Sequence, residues 1–238
     1  MRTRLYRCIY LFLKTQLVLT ENFKKLQSNH EKLLLNNGQS MYQALIKPIF
    51  DIFFSLLALP LLLVSLLIIA PVIFFTDKGP IFYNSNRMGK NGKRVTMLKF
   101  RSMRLDAPDL RNADGSTFNS ENDLRVTKIG KFLRKTSIDE LPQLINVLLG
   151  DMSLVGPRPI LYSDRYHTFD EKMKKRLTVK PGITGYTQAY FRNSIDQGKK
   201  FEYDAWYVNN ASFWMDVKII FKTFLLVIKR ENVFTKPQ

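Results

Sequence analysis

The sequence predicts an α+β fold that is mainly helical, in which a membrane-embedded segment joins a compact domain with amphipathic interfacial helices. Three observations support this class. The run Ile52–Phe75 contains 24 residues without a charged side chain, which favours a membrane helix. The remaining chain alternates short strand-like and longer helix-like segments, separated by Gly and Pro turns. At 238 residues and 45% hydrophobic composition, the chain can form one domain with a real core, plus appendages.

The composition is strongly basic and poor in metal-binding side chains. Lysine and arginine number 37 against 20 acidic residues, which gives a net charge of +17. Such an excess indicates an anionic partner, which could be nucleic acid, anionic lipid or a phosphorylated substrate. The single cysteine, Cys8, excludes a disulfide framework, and two histidines, His30 and His167, argue against a histidine-rich zinc site.

The uncharged run can either cross a bilayer or enter it and return. As one helix it would measure about 36 Å, against a bilayer core of about 30 Å. Pro60 removes a backbone hydrogen bond and divides the run into arms of about 12 and 24 Å, each too short to span alone. Eight Lys/Arg residues lie on each side, in 1–47 and 77–104, and basic flanks favour the cytoplasm. A re-entrant hairpin fits both features, but membrane helices tolerate proline, so a tilted span stays open.

These features divide the chain into four parts. Residues 1–40 form a basic N-terminal extension, 41–78 the membrane region, 79–234 the compact domain and 235–238 a tail. Within the extension, Cys8–Leu19 is apolar but too short to span a bilayer. An interfacial helix is favoured there over a disordered tail.

Local patterns predict the elements of the compact domain. Short strands at Ile81–Tyr83 and Val95–Phe100 flank a turn at Gly89–Gly92. Loops are predicted over Asp106–Asp123 and over the turn-rich segment Pro181–Gly185. Helices are predicted over Val126–Arg134, Leu141–Leu149, Ser163–Thr178, Phe201–Val208 and Asp216–Lys229. The last helix is amphipathic, which is typical of either a membrane interface or a packed terminal helix.

The segment 136–143, Thr-Ser-Ile-Asp-Glu-Leu-Pro-Gln, is the strongest candidate for chemistry. Ser137 and Glu140 fit a helix capping box, which is a purely structural alternative. A helix that begins at Asp139 instead places Pro142 in the first turn, where its missing donor costs nothing. Asp139 would then lie at a positive helix end that keeps it ionised, and an ionised carboxylate can attack phosphorus directly. Glu140 could bind Mg²⁺ beside it.

Rigidly held cations are candidate phosphate ligands. Two prolines flank Arg158, a setting that suits bidentate contact with phosphate, although a surface ion pair is the alternative. The turn Lys180–Gly185 is a second rigid segment with a cation beside it. Lys99 follows the membrane segment, where a cation can also simply face anionic lipid. Asp204 is a candidate metal or substrate contact, with a surface role as its alternative.

Several of these motifs occur together in an order that resembles one family. The segments are Lys47-Pro48-x-x-Asp51, the apolar run with Pro60, Lys99-Phe100-Arg101-Ser102-Met103, Ser137-x-Asp139-Glu140-Leu141-Pro142-Gln143, Gly150-Asp151-Met152-Ser153-x-Val155-Gly156-Pro157-Arg158-Pro159 and Lys180-Pro181-Gly182-Ile183-Thr184-Gly185. This arrangement, from Gln43 to Phe234, resembles the bacterial sugar transferases called monotopic phosphoglycosyl transferases. Each motif is weak alone, but their fixed order is specific.

The resemblance implies a fold, a location and a reaction. The membrane helix would be re-entrant and bent near Pro60, with a catalytic domain on the cytoplasmic face of the bacterial inner membrane. A nucleotide sugar, usually a UDP-sugar, would transfer its sugar-1-phosphate to a nucleophilic aspartate and release UMP. Polyprenyl phosphate, such as undecaprenyl phosphate, would then accept the sugar-1-phosphate. The product would initiate a polysaccharide or a glycoprotein glycan.

The resemblance also implies roles for individual residues. Asp139 is the expected nucleophile, and Glu140 is expected to help bind Mg²⁺. Together with Asp204, singled out above, the expected substrate-binding residues are Lys99, Arg134, Arg158, Gly182, Thr184, Gly185 and Gln188. The expected partners are the nucleotide sugar, polyprenyl phosphate and anionic membrane lipid, and a homo-oligomer is left open.

Departures from the family pattern leave the sugar open. Leu59 stands before Pro60, where the family often has serine. Tyr186-Thr187-Gln188 stands where Trp-Ala-Gln is common, and Phe191-Arg192-Asn193 where Gly-Arg-Asn is common. The alternative function is a membrane-tethered basic module that binds or scaffolds without catalysis. Nucleic acid is disfavoured as its partner, because the cations follow the membrane segment and are not interleaved with stacking aromatic residues.

Overall fold

A computed structural model of the protein describes residues 41–110, 118, 120, 122–192 and 194–229. Its elements in chain order are a π-helical turn (Tyr42–Ile46), α1 (Lys47–Asp77), β1 (Phe82–Met88), β2 (Arg94–Phe100), α2 (Lys128–Thr136), α3 (Gln143–Leu148), β3 (Ser153–Val155), α4 (Glu171–Arg176), β4 (Gly182–Thr184), α5 (Tyr186–Tyr190), α6 (Gln197–Asn210) and α7 (Phe213–Lys229). This mainly helical composition with short strands confirms the predicted α+β class. The expected N-terminal extension and the tail lie outside the described residues.

Helix α1 contains 31 residues, which corresponds to about 46 Å at 1.5 Å per residue. It continues through Pro60 and Pro71 as one element and ends where Lys78 adopts a left-handed conformation with φ 54°. In the part of the chain that the structure describes, one helix, Tyr42–Thr76, is long and apolar enough to cross a membrane. The expected bend near Pro60 and the re-entrant path stay predictions.

The two faces of α1 have different surroundings. Residues at helical spacing form a buried stripe along its length, and they include Asp51, Ser55, Leu62, Ser65, Ile69 and Ile73. The opposite face is apolar and exposed, as at Leu57, Leu67 and Phe75, which are 67%, 78% and 78% exposed. One face of α1 therefore packs against the rest of the protein, and the other is an exposed apolar surface.

The main hydrophobic core joins α1 to the compact domain. Its buried members are Leu62, Ile69, Ile73, Phe100, Leu133 and Leu144, which come from α1, β2, α2 and α3. A second cluster lies between β3 and the C-terminal helices, and it consists of Val155, Ala189, Tyr207, Val208, Ala211 and Ile219. Burial of such side chains contributes about 1.5–3 kcal/mol each, so α1 is a structural part of the domain.

Two small sheets position the loops of the domain. Strands β1 and β2 lie on either side of the predicted turn and pair antiparallel, with Phe82 opposite Phe100. Strand β1 continues five residues beyond the predicted Ile81–Tyr83. Strands β3 and β4 are parallel, with Ser153 beside Gly182 and Val155 beside Thr184. The second pair was not predicted, because strands of three residues are too short to show a periodic pattern.

Helix boundaries differ from the predictions where polar caps intervene. The helix predicted over Ser163–Thr178 is instead a 3₁₀ turn, Asp164–Thr168, followed by α4. Asp170 separates them, because its side chain caps α4 by accepting a hydrogen bond from the backbone N–H of Met173 (2.7 Å). Thr127 similarly caps α2 by accepting from Gly130 N–H (3.0 Å), so this helix begins two residues later than predicted.

Helix α7 combines both alternatives that its sequence left open. Asp216 and Ile219 are fully buried against the domain. On the other side, Trp214, Phe221 and Phe224 are 70%, 62% and 60% exposed. The helix therefore packs against the core with one face and presents an apolar surface with the other.

Candidate active site

The Asp139–Glu140 pair lies in a tight turn between two helices. It belongs to the 3₁₀ turn Ile138–Glu140, which follows Ser137 in a left-handed conformation (φ 55°). The capping box is not formed, since Ser137 makes no side-chain capping hydrogen bond. The expectation that a helix begins at Asp139 is also wrong: α3 begins at Gln143, with Pro142 as its N-cap. Neighbouring cations, described next, supply the positive charge that was expected from a helix end.

Glu140 is held by two cations from separate segments. The ammonium group of Lys99, near the end of β2, donates to Oε1 of Glu140 at 2.5 Å. A guanidinium nitrogen of Arg158 lies 3.9 Å from the same oxygen. Burial alone would raise the pKa of Glu140, but Lys99 and Arg158 outweigh it and lower this pKa. Glu140 is therefore ionised at neutral pH.

Asp139 is buried, with only 8% of the residue exposed. Burial is the largest influence on its carboxyl group, and with the charge of Glu140 it raises the pKa of Asp139 to about 6. Lys99, Arg134 and Arg158 oppose this rise. At pH 7 the group is therefore about nine-tenths ionised. A poorly solvated carboxylate facing cations can act as a nucleophile towards a phosphorylated compound.

Arg134 and Arg158 face the same pair from different elements. Arg134, in the last turn of α2, donates from Nε to the hydroxyl of Ser102 (2.9 Å). Arg158 follows β3 between two prolines, and its side chain is 58% exposed. The structure thus brings together Lys99, Arg134 and Arg158 around Asp139 and Glu140, as the motifs predict.

Gly182 and Gly185 allow two backbone segments to touch. A Cβ atom on Gly182 would lie 2.1 Å from the backbone nitrogen of Gly156, and one on Gly185 would lie 2.1 Å from the Gly156 carbonyl oxygen. Gly156 N–H in turn donates to the carbonyl of Thr184 (2.9 Å). These glycines therefore hold the β4 segment against the strand that leads to Arg158. Their direct contact with substrate stays a prediction.

The side chains of Thr184 and Gln188 are engaged within the protein. The hydroxyl of Thr184 lies 2.7 Å from the hydroxyl of Thr223 in α7. The amide of Gln188 donates to the carbonyl of Ile183 (3.0 Å). Thr184 is the last residue of β4, and Gln188 lies in α5, which follows β4. Contact of either residue with a nucleotide stays a prediction.

Asp204 occupies a different position from that expected of a metal or surface contact. It is 2% exposed, and its Oδ2 accepts from Nε (3.1 Å) and Nη2 (2.7 Å) of Arg176. Its Oδ1 accepts from the hydroxyl of Thr187 (2.9 Å). The surface role is therefore wrong, and the contacts observed favour a structural role over substrate binding.

The fit of the site to Mg²⁺ depends on how many ligands the protein must supply. In the described ranges, no group of three or more His, Cys, Asp or Glu residues could hold a metal ion. Mg²⁺ is often bound through one or two carboxylates, with substrate phosphate and water completing its shell. Asp139 and Glu140 fit that mode, in which a diphosphate would provide the remaining oxygen ligands.

Two arginines near the site were not predicted as functional residues. Arg192 contributes to lowering the pKa of Glu140, and its backbone is left-handed at φ 47°, an uncommon conformation for a residue with a side chain. Arg176 is buried and holds Asp204. The left-handed backbone of Arg192 cannot be recognised from the sequence. Arg176 appears in the sequence as one of several cations in a charged helix.

These features define a class of protein before any comparison. The buried carboxylate of Asp139 and the half-buried one of Glu140 are surrounded by cations, on a domain that packs against a long apolar helix. This arrangement indicates phosphate chemistry. A protein family described as "Bacterial sugar transferase" matches residues 42–230 of the chain. The chain belongs to this family, which confirms the resemblance drawn from the motifs.

Similar proteins come from several bacteria. The chain is 39% identical over 226 residues to an undecaprenyl-phosphate galactose phosphotransferase of Salmonella typhimurium, covering 87% of this chain and 46% of that protein. It is 43% identical over 194 residues to a UDP-glucose:undecaprenyl-phosphate glucose-1-phosphate transferase of Klebsiella pneumoniae, covering 79% and 40%. It is also 43% identical over 189 residues to the uncharacterized sugar transferase EpsL of Bacillus subtilis, covering 79% and 90%. The chain thus spans about half the length or less of the Salmonella and Klebsiella relatives.

Proposed function

We propose that this protein transfers a sugar-1-phosphate from a UDP-sugar to polyprenyl phosphate through an aspartyl-phosphosugar intermediate. The observation that carries the proposal is Asp139, a buried carboxylate that faces Lys99, Arg134 and Arg158 and has a pKa of about 6. The relatives support the substrates, since their names specify undecaprenyl phosphate and, for the Klebsiella protein, UDP-glucose. The product would initiate exopolysaccharide, capsule, O-antigen or glycoprotein glycan synthesis.

The reaction proceeds in two displacements at one phosphorus atom. A carboxylate oxygen of Asp139 bonds to the phosphorus that carries the sugar, and the bond from this phosphorus to the bridging oxygen breaks. The electron pair leaves with UMP. An oxygen of polyprenyl phosphate then attacks the same phosphorus, the bond to Asp139 breaks, and the carboxylate is restored. Polyprenyl diphosphate sugar is the product.

The surrounding residues reduce the charge that develops during these displacements. Lys99 and Arg158 already lie within 2.5 and 3.9 Å of Glu140, so their positive charge is held in place before substrate binds. Mg²⁺, bound through Glu140 and Asp139 together with phosphate oxygens, would neutralise the diphosphate and make UMP a better leaving group. Arg134 supplies a third cation beside the nucleophile.

The packing of α1 supports a re-entrant path. Near its start, Lys47 pairs with Asp216 of α7, and Asp51 accepts a hydrogen bond from Leu154 N–H (3.0 Å). Near its end, Ile69 and Ile73 lie in the core with Phe100. Contact of the domain with both ends of the helix favours a path in which both ends lie on the same side of the bilayer. We place both ends on the cytoplasmic face of the inner membrane, where the exposed faces of α1 and α7 enter a leaflet of anionic lipid.

Release of UMP tests the reaction. The protein is incubated with Mg²⁺ and a panel of UDP-sugars, first without acceptor and then with undecaprenyl phosphate. We expect one donor to give a burst of UMP equal to the enzyme concentration, a sugar-phosphate adduct on the peptide that contains Asp139, and turnover when acceptor is added. Turnover without burst or adduct would replace the covalent route by direct transfer. No UMP with any donor would favour the basic binding module.

Chemical labelling tests the membrane path. In a Cys8→Ser background, Met41→Cys and Lys90→Cys place a thiol on either side of α1, at residues that are exposed in the structure. A thiol reagent that does not cross membranes should label both variants in inside-out vesicles and neither in right-side-out vesicles. Labelling of the two positions from opposite sides would show that α1 spans the bilayer.

A further inference from the structure

Arg176 is a buried cation with no part in the displacement steps described above. It is the last residue of α4, and 2% of it is exposed. Its Nη2 donates to the backbone carbonyl of Arg158 (2.7 Å) and to Oδ2 of Asp204 (2.7 Å). One guanidinium group therefore joins the turn that carries a proposed phosphate ligand to a carboxylate of α6.

Asp204 extends this connection to the segment that follows β4. Its second oxygen accepts a hydrogen bond from the hydroxyl of Thr187 (2.9 Å). Thr187 belongs to α5, between Gly185 and Gln188, which are both proposed donor-binding residues. Three buried side chains thus link the Arg158 turn to α5.

The link depends on the planar shape of arginine. The Arg176 guanidinium lies over the ring of Phe201, with its carbon 4.7 Å from the ring centre. A lysine would keep the charge opposite Asp204 but lacks the flat fork that reaches a carboxylate and a carbonyl together. Among the described residues, Nη1 of Arg176 is buried without a hydrogen-bond partner, which destabilises the fold. An apolar pair would often stabilise the fold equally well, so stability alone does not account for this group.

The side chain of Arg158 shows why its backbone needs support. It is 58% exposed, and its ion pair with Glu140 is long at 3.9 Å. Its direction towards a phosphate is therefore set mainly by the backbone of the turn. That backbone is fixed by the flanking prolines and by the hydrogen bond from Arg176.

We propose that Arg176 is a positioning residue that holds the Arg158 turn and the α5 segment in register, so that phosphate and nucleotide are bound in one geometry. The inference rests on the proposed function, because it assumes that Arg158 contacts a phosphate of the donor. It predicts that the effect of changing Arg176 depends largely on Arg158, whose turn Arg176 contacts directly.

A double-mutant cycle tests this coupling. We compare Arg176→Lys, Arg158→Lys and the double variant in UMP release with the preferred UDP-sugar, and record the melting temperature of each. A matched control is Lys172→Met, because Lys172 pairs with Glu202 (2.6 Å) across the same two helices but is exposed. We expect Arg176→Lys to lower kcat/KM for the donor by about 10- to 100-fold, as displaced groups do, and the control to stay within about twofold.

The double variant gives the decisive comparison. In the Arg158→Lys background, Arg176→Lys should lower kcat/KM by less than about threefold, because the two changes disturb one contact. If turnover is too slow to measure, the rise in melting temperature caused by the UDP-sugar replaces it, and both single variants should lose most of that rise. Independent, multiplicative losses, or wild-type kcat/KM in Arg176→Lys, would overturn the positioning role and leave the proposed function intact. Wild-type turnover in both Arg158→Lys and Arg158→Ala would overturn the phosphate role of Arg158 and this inference with it.

Discussion

Asp139 and Asp204 are both buried aspartates that face arginine, but their oxygens are used differently. Both oxygens of Asp204 accept hydrogen bonds from neighbouring side chains, at 2.7–3.1 Å. Burial raises the pKa of both carboxyl groups, that of Asp139 to about 6. Asp139, however, lies in a tight turn where its cations act mainly through charge. Hydrogen bonds to both oxygens favour a structural role for a carboxylate, whereas a poorly solvated carboxylate that faces cations mainly through charge is suited to reaction.

The type and burial of a residue therefore do not reveal its role. The positions of the two aspartates in their elements explain the difference between them. Asp204 lies in the middle of α6, against Arg176 at the end of α4. Asp139 lies between two helices, beside the end of the β1–β2 hairpin that carries Lys99. Loss of Asp139 should therefore affect chemistry, and loss of Asp204 should affect stability.

The largest expected effect is on chemistry at Asp139. Asp139→Asn keeps the shape of the side chain but removes the nucleophile, so we expect UMP release to fall at least about a thousandfold. The melting temperature should rise by a few degrees at pH 7.5, because the folded protein no longer holds a carboxylate whose pKa is raised. UMP release at the wild-type rate would remove Asp139 from its proposed role.

The next effect is on stability at Asp204. Asp204→Ala leaves the guanidinium of Arg176 buried without its carboxylate partner, which costs about 3–5 kcal/mol. We expect the melting temperature to fall on the order of 10 °C, as measured by calorimetry or circular dichroism. Asp139→Ala is the matched control and should not cause a fall of this size. Similar losses in both variants would contradict the contrast drawn between the two aspartates.

A smaller effect is expected from pH. Asp139 must be ionised to attack, so the burst rate of UMP release should fall about tenfold between pH 7.5 and pH 5, with an apparent pKa of about 6. For stability the sign is opposite: the pKa of the folded state lies above the ordinary value of 3.8, so protonation of Asp139 stabilises the fold as pH falls from 6 towards 4. A burst rate that is constant from pH 5 to pH 8 would exclude a nucleophile of this pKa.

The smallest effect on stability is expected at the exposed ion pair that joins the same two helices as Arg176 and Asp204. Lys172 and Glu202 form an ion pair between α4 and α6, with side chains 62% and 56% exposed. Because water screens such a pair, Lys172→Met should leave the free energy of unfolding nearly unchanged. Urea unfolding measures this change. A loss of stability near that caused by Asp204→Ala would show that exposed and buried contacts between the two helices contribute equally.

The sequence predicted which residues of the candidate site lie together better than it predicted the structure around them. Motif order placed Asp139, Glu140, Lys99 and Arg158 at one site, and their contacts confirm that these residues lie together. Residue chemistry alone could not do so, because Lys99 and Glu140 are 41 positions apart and meet only through tertiary packing.

Other features could not be predicted for local reasons. The β3–β4 pair is too short to show a pattern and depends on glycines that allow backbone contact, as at Gly156 and Gly182. The burial of Asp204 depends on Arg176 in another helix, so a charged residue in a polar segment looked exposed. Helix α1 was predicted from composition, but its buried stripe requires knowledge of what packs against it.

That stripe has a practical consequence for producing the protein. Deleting α1 is a common way to obtain a soluble domain, but here it would remove Leu62, Ile69 and Ile73 from the main core. Phe100, Leu133 and Leu144 would then be exposed, and a truncated domain should aggregate in aqueous buffer. Purification in detergent or lipid nanodiscs with α1 retained is therefore the route to a folded enzyme, and shortening should be confined to segments outside the helix.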